Sequence, residues 1–462
     1  MRQATHSGSG SGNSGHSGLL AAIFLALALA VGGGGSPAPL PEIILECLAA
    51  LFAVLWVLGM LDAPQWRLVP RSAWMIAGII AAVPILQLIP LPPLLWHALP
   101  GRSVELDALT LIGEQSSWRT WSLAPTRTLT ALLSLGPPLL LLAMTSALDE
   151  SGRLTLIRSI ALMAAFTLIL GALQYAGPDD SPLHLYGDPS AGLAGFQANQ
   201  NSTADLLLVA IMTGPLLIRR LAERRLIPNR SSIVLLFSGT AIITGVFSVV
   251  MTSSRMGISI LPIPVLTSLW ILRPWLHITR RTMLIALFAI LVAVPVSVML
   301  AQANPVLAGI IARFDFAHEL RPQLWRDGLF VAQKYFPFGV GMGDFVPAYI
   351  ADERLEVIMQ RMPNRAHNEL IELTTEAGLL GLGALAAVCF LLFRQVSRTL
   401  RGAHKRSPEL ICFAITALGI LALHSMVDYP FRSLSLASLG AVCAGLLIPS
   451  RRGERSAGKE PI

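Results

Sequence analysis

Charged residues are scarce in this 462-residue chain: Asp, Glu, Lys and Arg make up 13% of it, and apolar residues make up 54%. Soluble domains carry roughly 25% charged residues, so the composition excludes an ordinary soluble protein. Long apolar runs separate the charges, each near the ~20 residues that a helix needs to cross a bilayer. The sequence therefore predicts an integral membrane protein without a separate soluble domain.

Cysteine is also scarce. The four cysteines all fall within apolar runs, at Cys47, Cys389, Cys412 and Cys443. Their spacing matches neither a disulfide framework nor a metal site, and the chain has no P-loop, HExxH motif or zinc cluster. We therefore expect packed apolar cysteines, and neither a metal nor a cofactor.

The apolar runs predict an all-α, polytopic bundle of about twelve transmembrane helices. The windows are approximately residues 18–35, 42–61, 72–95, 127–147, 156–176, 201–218, 232–252, 256–272, 283–302, 369–393, 410–427 and 433–449. Residues 1–17, rich in Gly and Ser, predict a flexible tail, and residues 450–462 a basic one. The first window lacks the cleavage-site pattern of a signal peptide, so we expect it to be retained.

The net charge of +7 would fit a nucleic-acid binder if the cations formed one face, but they cluster in alternate loops and in the C-terminal tail. Basic loops lie near 219–230, 273–281 and 394–406, whereas the loops at 32–41 and 177–200 contain no Lys or Arg. By the positive-inside rule, the basic loops and both termini are cytoplasmic. We expect the other loops to lie outside, or in the periplasm, and we expect no nucleic-acid partner.

One predicted periplasmic loop, residues 303–368, is far longer than usual connections and breaks this charge rule. Its cations are Arg313, Arg321, Arg326, Lys334, Arg354, Arg361 and Arg365. Arg321 and Trp325 are i,i+4 neighbours on a predicted helix. Guanidinium groups suit a pyrophosphate, although a solvated or headgroup-contacting face would carry the same charges. The loop thus indicates either an anionic substrate or a headgroup contact.

The stretch "NRAHNELIELTTEAGLLGLG", residues 364–383, places His367 at the outward mouth of the next membrane helix. An ionisable group there is a functional candidate, and imidazole exchanges protons near neutral pH; capping or an interfacial position is the alternative. Gly378 and Gly381 belong to a small-residue stripe that predicts close helix packing. Glu376 lies deeper in the helix and needs a partner.

Three further segments supply candidates on the predicted outward side. Asn199 and Asn201 precede a membrane helix, with N-capping as the alternative role, and Arg255 lies in a short turn, with an interfacial anchor as the alternative. "YFPFGVGMGDF", residues 335–345, alternates glycine with bulkier residues, which predicts a turn-rich link and a close backbone approach.

Together these pieces resemble the membrane-embedded O-antigen ligase and Wzy-type polymerase superfamily. His367-Asn368, nine residues and then "GLLG" are similar to that family's histidine motif. Residues 321–345 resemble its arginine and tryptophan helix followed by its glycine-rich segment. Other similar motifs are "GFQANQNSTA" (195–204), "TSSRMG" (252–257) and, more weakly, "WSLAPTRT" (121–128).

The resemblance implies a protein of the bacterial inner (cytoplasmic) membrane with a periplasmic active site and a C-type glycosyltransferase-like fold. It also implies a metal-independent, inverting transfer from a polyprenyl-pyrophosphate-linked glycan. The acceptor would be lipid A-core in a ligase, or another saccharide in an O-antigen or exopolysaccharide polymerase. It assigns His367 as the acceptor-activating base, or as an essential phosphate and acceptor contact. The donor pyrophosphate ligands would be Arg255, Arg321 and Arg365, and the supporting residues Asn199, Asn201, Trp325 and Asn368. A transporter or flippase is the alternative from another class.

Overall fold

The apolar runs form helices because a helix satisfies its own backbone hydrogen bonds, as a segment in lipid must. The structure is a computed structural model, and the residues it describes are 13–34, 39–59, 65–178, 180–186, 192–228, 231–276, 281, 320–353, 364–402 and 407–450. In these residues the regular structure is helical, apart from Pro90–Leu91, which pairs antiparallel with Arg119–Thr120.

The helices are numbered in chain order. In the first half they are α1 Asn13–Val31, α2 Pro39–Leu58, α3 Arg71–Gln87, α4 Pro93–Trp96, α5 Ser103–Leu111, α6 Pro125–Ser134, α7 Gly136–Ala147, α8 Glu150–Ala176 and α9 Gln200–Ile211. In the second half they are α10 Thr213–Glu223, α11 Ser231–Met251, α12 Arg255–Ile260, α13 Pro262–Ile271, α14 Arg321–Tyr335, α15 Phe345–Asp352, α16 Glu369–Leu400, α17 Pro408–His424 and α18 Leu434–Leu447. Short 3₁₀ turns lie at Gln65–Leu68 and Pro430–Arg432.

Six helical stretches are long and apolar enough to cross a membrane: Leu40–Leu58, Pro125–Ala147, Glu150–Ala176, Gln200–Glu223, Ser231–Met251 and Glu369–Leu400. Shorter apolar helices are His16–Val31, Arg71–Gln87, Arg255–Ile271, Pro408–His424 and Leu434–Leu447. The expectation of an all-α, multi-pass membrane protein is confirmed. The window at 283–302 lies outside the described residues, so a total of twelve spans stays a prediction.

Two predicted boundaries differ from the structure. Helix α1 begins at Asn13, inside the segment predicted as a tail, because helical hydrogen bonding continues into the polar residues before the apolar run. Helix α16 ends at Leu400, seven residues beyond the predicted window, which ended at residue 393. Its last turn carries the basic Arg398.

The chain divides into two units: residues 1–159 with 321–462, and residues 160–320. In the first unit α18 packs against α7 and α1, and α16 packs against α3 and α14. Small residues allow close approach: a Cβ at Gly445 would lie 2.7 Å from the Thr145 side chain, and one at Gly18 would lie 2.7 Å from the Gly152 backbone.

Buried arginines satisfy carbonyl groups at helix ends in both units. In the first, Arg153 is 3% exposed and donates to the carbonyls of Leu148 (3.1 Å), Leu446 (3.0 Å) and Ile448 (2.7 Å). In the second, Arg219 donates to the Ile271 carbonyl at 2.6 Å. Carbonyls at a helix C-terminus have no partner within the helix, so these side chains stabilise the ends.

The predicted large loop contributes two helices, α14 and α15, to the first unit. They build an apolar core with the start of α16, whose buried members include Leu324, Val331, Tyr335, Phe345, Tyr349, Ala366 and Ile371. The loop therefore has a packed interior of its own. This core supports the segment that carries the histidine.

Candidate functional site

The imidazole of His367 lies directly before α16 and contacts an aspartate far away in sequence. His367 Nδ1 is 2.9 Å from Asp428 Oδ1, a pairing across 61 residues. The Asp428 side chain is 4% exposed and that of His367 is 27% exposed. A carboxylate accepts hydrogen bonds, so Nδ1–H donates to Asp428. In the neutral ring, Nε2 is then the nitrogen that can accept a proton.

The backbone of this histidine is held in an uncommon conformation. His367 has φ +50, in the left-handed region that costs a residue other than glycine of order 1 kcal/mol or more. The Trp325 indole donates to the His367 carbonyl at 3.3 Å, and the His367 ring centroid lies 5.0 Å from that of Tyr429. Surrounding contacts thus hold the imidazole in place.

Asn368, and not His367, is the N-cap of α16. Its side-chain oxygen accepts from the backbone N–H groups of Leu370 (3.0 Å) and Ile371 (3.2 Å), which have no partner within the helix. The same side chain donates through Nδ2 to the Met426 carbonyl at 2.9 Å. Residues 425–433 connect α17 to α18 and are called the 425–433 loop below. Asn368 therefore joins the start of α16 to this loop.

The two buried carboxylates of α16 have cationic partners. Glu372 and Glu376 are both fully buried. Arg432, in the 425–433 loop, places Nη2 2.7 Å from Glu376 Oε2 and Nε 3.4 Å from Glu372 Oε2. Burial by itself lowers the pKa of Arg432, but the charges of Glu376 and Glu372 outweigh it and raise that pKa. The partner that the sequence required for Glu376 is thus Arg432.

Arg365, predicted as a donor pyrophosphate ligand, lies close to the histidine but is engaged by the protein. Its Nη1 is 3.4 Å from Glu372 Oε2, its side chain is 15% exposed, and its guanidinium carbon is 5.9 Å from the Tyr429 ring centroid. Glu372 also accepts from the Ala366 N–H at 2.9 Å. The structure thus gives Arg365 a local role in shaping the histidine segment.

The other predicted residues occupy both units. Arg321 begins α14, one turn before Trp325, so it belongs to the same unit as His367. In the second unit, Arg255 begins α12 after the N-cap Ser254, and Asn199 is the N-cap of α9, accepting from the Asn201 N–H at 2.8 Å. Arg313, Arg354 and Arg361 lie outside the described residues.

The glycine-rich segment, residues 336–344, docks onto a break in α16. Gly378 has φ 50 and ψ −137. On either side of the break, the Leu379 N–H donates to the Pro337 carbonyl, and the Val340 N–H donates to the Thr375 carbonyl, both at 2.9 Å. The close approach at Gly378 is therefore to this segment, since a Cβ there would overlap the Pro337 carbonyl oxygen.

At Gly381, in contrast, the neighbours that a Cβ would meet belong to α16 itself: Ala377 Cβ at 2.6 Å and a Leu373 methyl carbon at 2.9 Å. The close packing predicted for both glycines thus differs between them: Gly378 packs against another segment of chain, and Gly381 packs against side chains of its own helix. Only Gly378 meets a separate segment of chain in these contacts.

A buried carboxyl group ties this segment to the "WSLAPTRT" motif. Asp344 is fully buried, and its Oδ2 accepts from Ser122 Oγ (2.9 Å) and the Ala124 N–H (3.0 Å). Gln87 adds a second tie, donating to the Glu376 carbonyl and accepting from the Met342 N–H, each at 2.9 Å. Residues far apart in sequence thus form one polar network beneath the glycine-rich segment.

Protonation of Asp344 should make stability depend on pH. Burial raises the pKa of Asp344 to about 7, opposed by its hydrogen bonds with Ala124 and Ser122 and reinforced by Glu376. Since its unfolded pKa is about 3.9, the folded state holds the proton more tightly, and stability should fall as pH rises from about 4 to about 7. Asp344→Asn should remove this dependence. The unfolding midpoint of the variant minus that of wild type should therefore be larger at pH 8 than at pH 5.

Thermal unfolding midpoints in detergent at both pH values measure this effect. The exposed Asp107 provides a matched control as Asp107→Asn, which should leave the pH dependence unchanged. A constant difference between wild type and Asp344→Asn from pH 5 to pH 8 would contradict the assignment.

Asp428, Tyr429 and Arg432 were not among the residues predicted for the site. A signal for them exists in the sequence, because residues 428–432 fill the gap between the last two apolar windows, on the same predicted face as His367. Sequence spacing could place them on that face but could not pair them with particular residues of α16.

Residues 240–386 match the family model described as O-antigen ligase. The chain carries an O-antigen ligase family domain. A search of curated proteins found no match. The matched range includes Arg255, Arg321 and His367, whereas Asp428 and Arg432 lie beyond it. The O-antigen ligase family domain implies a glycosyl-transfer enzyme with lipid-linked glycan substrates, in agreement with the membrane helices.

Proposed function

We propose that this protein transfers a glycan from a polyprenyl-pyrophosphate donor to lipid A-core at the periplasmic face of the inner membrane, with His367 as the acceptor-activating base. The observation that carries the proposal is the 2.9 Å contact between His367 Nδ1 and Asp428 Oδ1. It orients the imidazole and directs its proton-accepting capacity to Nε2.

The reaction is a single displacement at the anomeric carbon. His367 Nε2 removes the proton of the acceptor hydroxyl as its oxygen bonds to that carbon, while the bond to the pyrophosphate oxygen breaks. Asp428 stabilises the imidazolium that forms. The electron pair of the broken bond leaves with the polyprenyl pyrophosphate, and the anomeric configuration inverts.

Negative charge grows on the departing pyrophosphate, so fixed guanidinium groups near it lower the barrier. We assign this role to Arg321, which lies in the same unit as His367. For Arg255, the role stays a prediction from the resemblance. Arg321 is supported by its position one turn from Trp325, whose indole contacts the His367 carbonyl. Arg365 has a smaller share, because Glu372 already neutralises part of its charge.

The acceptor distinguishes a ligase from a polymerase. Both would use the same histidine, the same leaving group and the same donor. The description of the matched family model, O-antigen ligase, favours lipid A-core as the acceptor. We therefore name lipid A-core and test it against the lipid-linked glycan.

The test uses purified protein in vesicles without an ion gradient, supplied with the lipid-linked glycan and with or without lipid A-core. We expect glycosylated lipid A-core by gel and mass spectrometry. Asp428→Asn should lower the rate by about 100-fold or more, within the range for general-base catalysis, because an amide does not stabilise the imidazolium. Asp107→Asn, at an exposed position, should retain the wild-type rate.

Each alternative has its own outcome in this assay. Longer lipid-linked chains formed without lipid A-core would replace the ligase assignment with a polymerase. No product from either acceptor would contradict glycosyl transfer, and unimpaired Asp428→Asn would contradict the role of the histidine–aspartate pair.

A further inference from the structure

We infer that Arg432 is a positioning residue: by bridging Glu372 and Glu376, it holds the 425–433 loop on α16 so that Asp428 meets His367. This inference rests on the proposed function, because the position that Arg432 maintains matters through the histidine–aspartate pair. Neither the O-antigen ligase match nor the predicted site residues include it.

Arg432 lies in the same loop as Asp428 and contacts α16. It follows Asp428 by four residues and ends the 3₁₀ turn Pro430–Arg432. Its guanidinium reaches Glu376 at 2.7 Å and Glu372 at 3.4 Å. Because these carboxylates lie one turn apart on α16, the bridge fixes both the position and the rotation of the loop against the helix.

Other contacts tie the 425–433 loop to Glu369 at the start of α16, whereas Arg432 ties it to Glu372 and Glu376, further along the helix. Glu369, the first residue of α16, accepts from Ser425 Oγ at 2.6 Å and from the Phe431 N–H at 2.7 Å. Its own N–H donates to the Ser425 carbonyl at 2.9 Å. The loop is thus held at its first residues and again at its end, with Asp428 between the two attachments.

Both carboxylates that Arg432 contacts are fully buried, and a buried charge without its partner is costly. Glu372 also has Arg365 at 3.4 Å, whereas the cation bonded to Glu376 in the described contacts is Arg432. Arg432→Met therefore leaves Glu376 uncompensated. Arg432→Met/Glu376→Gln removes both charges of the 2.7 Å pair and should restore much of the stability.

A double-mutant cycle with Asp428→Asn separates positioning from the other roles. In the vesicle assay, Arg432→Met should lower kcat about tenfold, which corresponds to roughly 1.4 kcal/mol of activation free energy, with KM for the donor nearly unchanged. In the Asp428→Asn background the same substitution should have little further effect on kcat, because the carboxylate that Arg432 positions is already absent. Arg432→Lys should recover part of kcat, since an ammonium keeps the charge but lacks the fork that spans two carboxylates.

The neutral pair guards against a trivial loss of folding. Arg432→Met/Glu376→Gln should regain thermal stability while kcat stays low, and Arg220→Met, which removes the Arg220–Glu223 pair at 2.9 Å, should keep the wild-type kcat. Additive losses in the Asp428→Asn background would overturn the inference, as would a raised donor KM or recovery of kcat together with stability. Wild-type activity and the Asp428→Asn defect test the proposed function independently of these outcomes.

Discussion

His367→Asn should reduce glycosyl transfer by at least about 100-fold while leaving the protein folded. Asparagine tolerates the left-handed backbone better than most residues, and His367 has φ +50. Its amide can also donate toward Asp428, in place of the Nδ1–H that bonds at 2.9 Å. The substitution therefore preserves the backbone and the aspartate contact but removes the Nε2 base.

The rate of product formation in the vesicle assay measures this effect, with thermal unfolding as the check on folding. His97 offers a matched control, because its side chain is exposed and contacts the Gln115 carbonyl at 3.0 Å. His97→Asn should retain the wild-type rate. Full activity of His367→Asn would remove the base from the mechanism and leave at most a binding role for this segment.

Gly378→Ala should destabilise the protein on the order of 2–5 kcal/mol, from the left-handed backbone and the steric overlap together. Gly378 has φ 50 and ψ −137, and its Cβ would overlap the Pro337 carbonyl oxygen and lie 3.0 Å from the Phe338 carbonyl carbon. The glycine-rich segment would have to leave α16, breaking the Leu379 to Pro337 hydrogen bond.

A second glycine of the same helix gives the opposite expectation. A Cβ at Gly383 would meet no atom within 4 Å, and alanine favours a helix over glycine by about 1 kcal/mol. Gly383→Ala should therefore raise the unfolding midpoint slightly, whereas Gly378→Ala should lower it strongly. Equal midpoints for Gly378→Ala and wild type would show that the break in α16 does not depend on glycine.

The local motifs were informative where one stretch of chain contains the whole signal. The histidine motif at His367 and the N-capping alternative for Asn199 both depend on residues that are near neighbours in sequence. The role of Gly378 was different, because its small-residue stripe fits helix packing equally well. The structure shows that its close neighbour is the glycine-rich segment. This segment packs against α16, although it lies about forty residues before Gly378 in the chain.

The partners of the charged residues could not be predicted either, because they too lie far apart in sequence. Asp428 lies 61 residues from His367, and Arg432 lies 56 residues from Glu376. The alternation of apolar windows and basic loops predicts that His367 and the gap at residues 428–432 lie on the same side of the membrane, but it pairs no residues. Which carboxylate meets which cation depends on how α16 packs beside the hairpin of α17 and α18, and no periodicity records that choice.

By itself the sequence determined the membrane helices, because a bilayer accepts only segments that are apolar and internally hydrogen-bonded, and both properties are local. It also determined which residue types stand at the mouth of α16. Only the tertiary structure decided that Asp428 orients His367, that Arg432 neutralises the buried carboxylates and that the helix breaks at Gly378. These contacts arise when distant segments pack, and packing selects among many pairings that the same charges and glycines would permit.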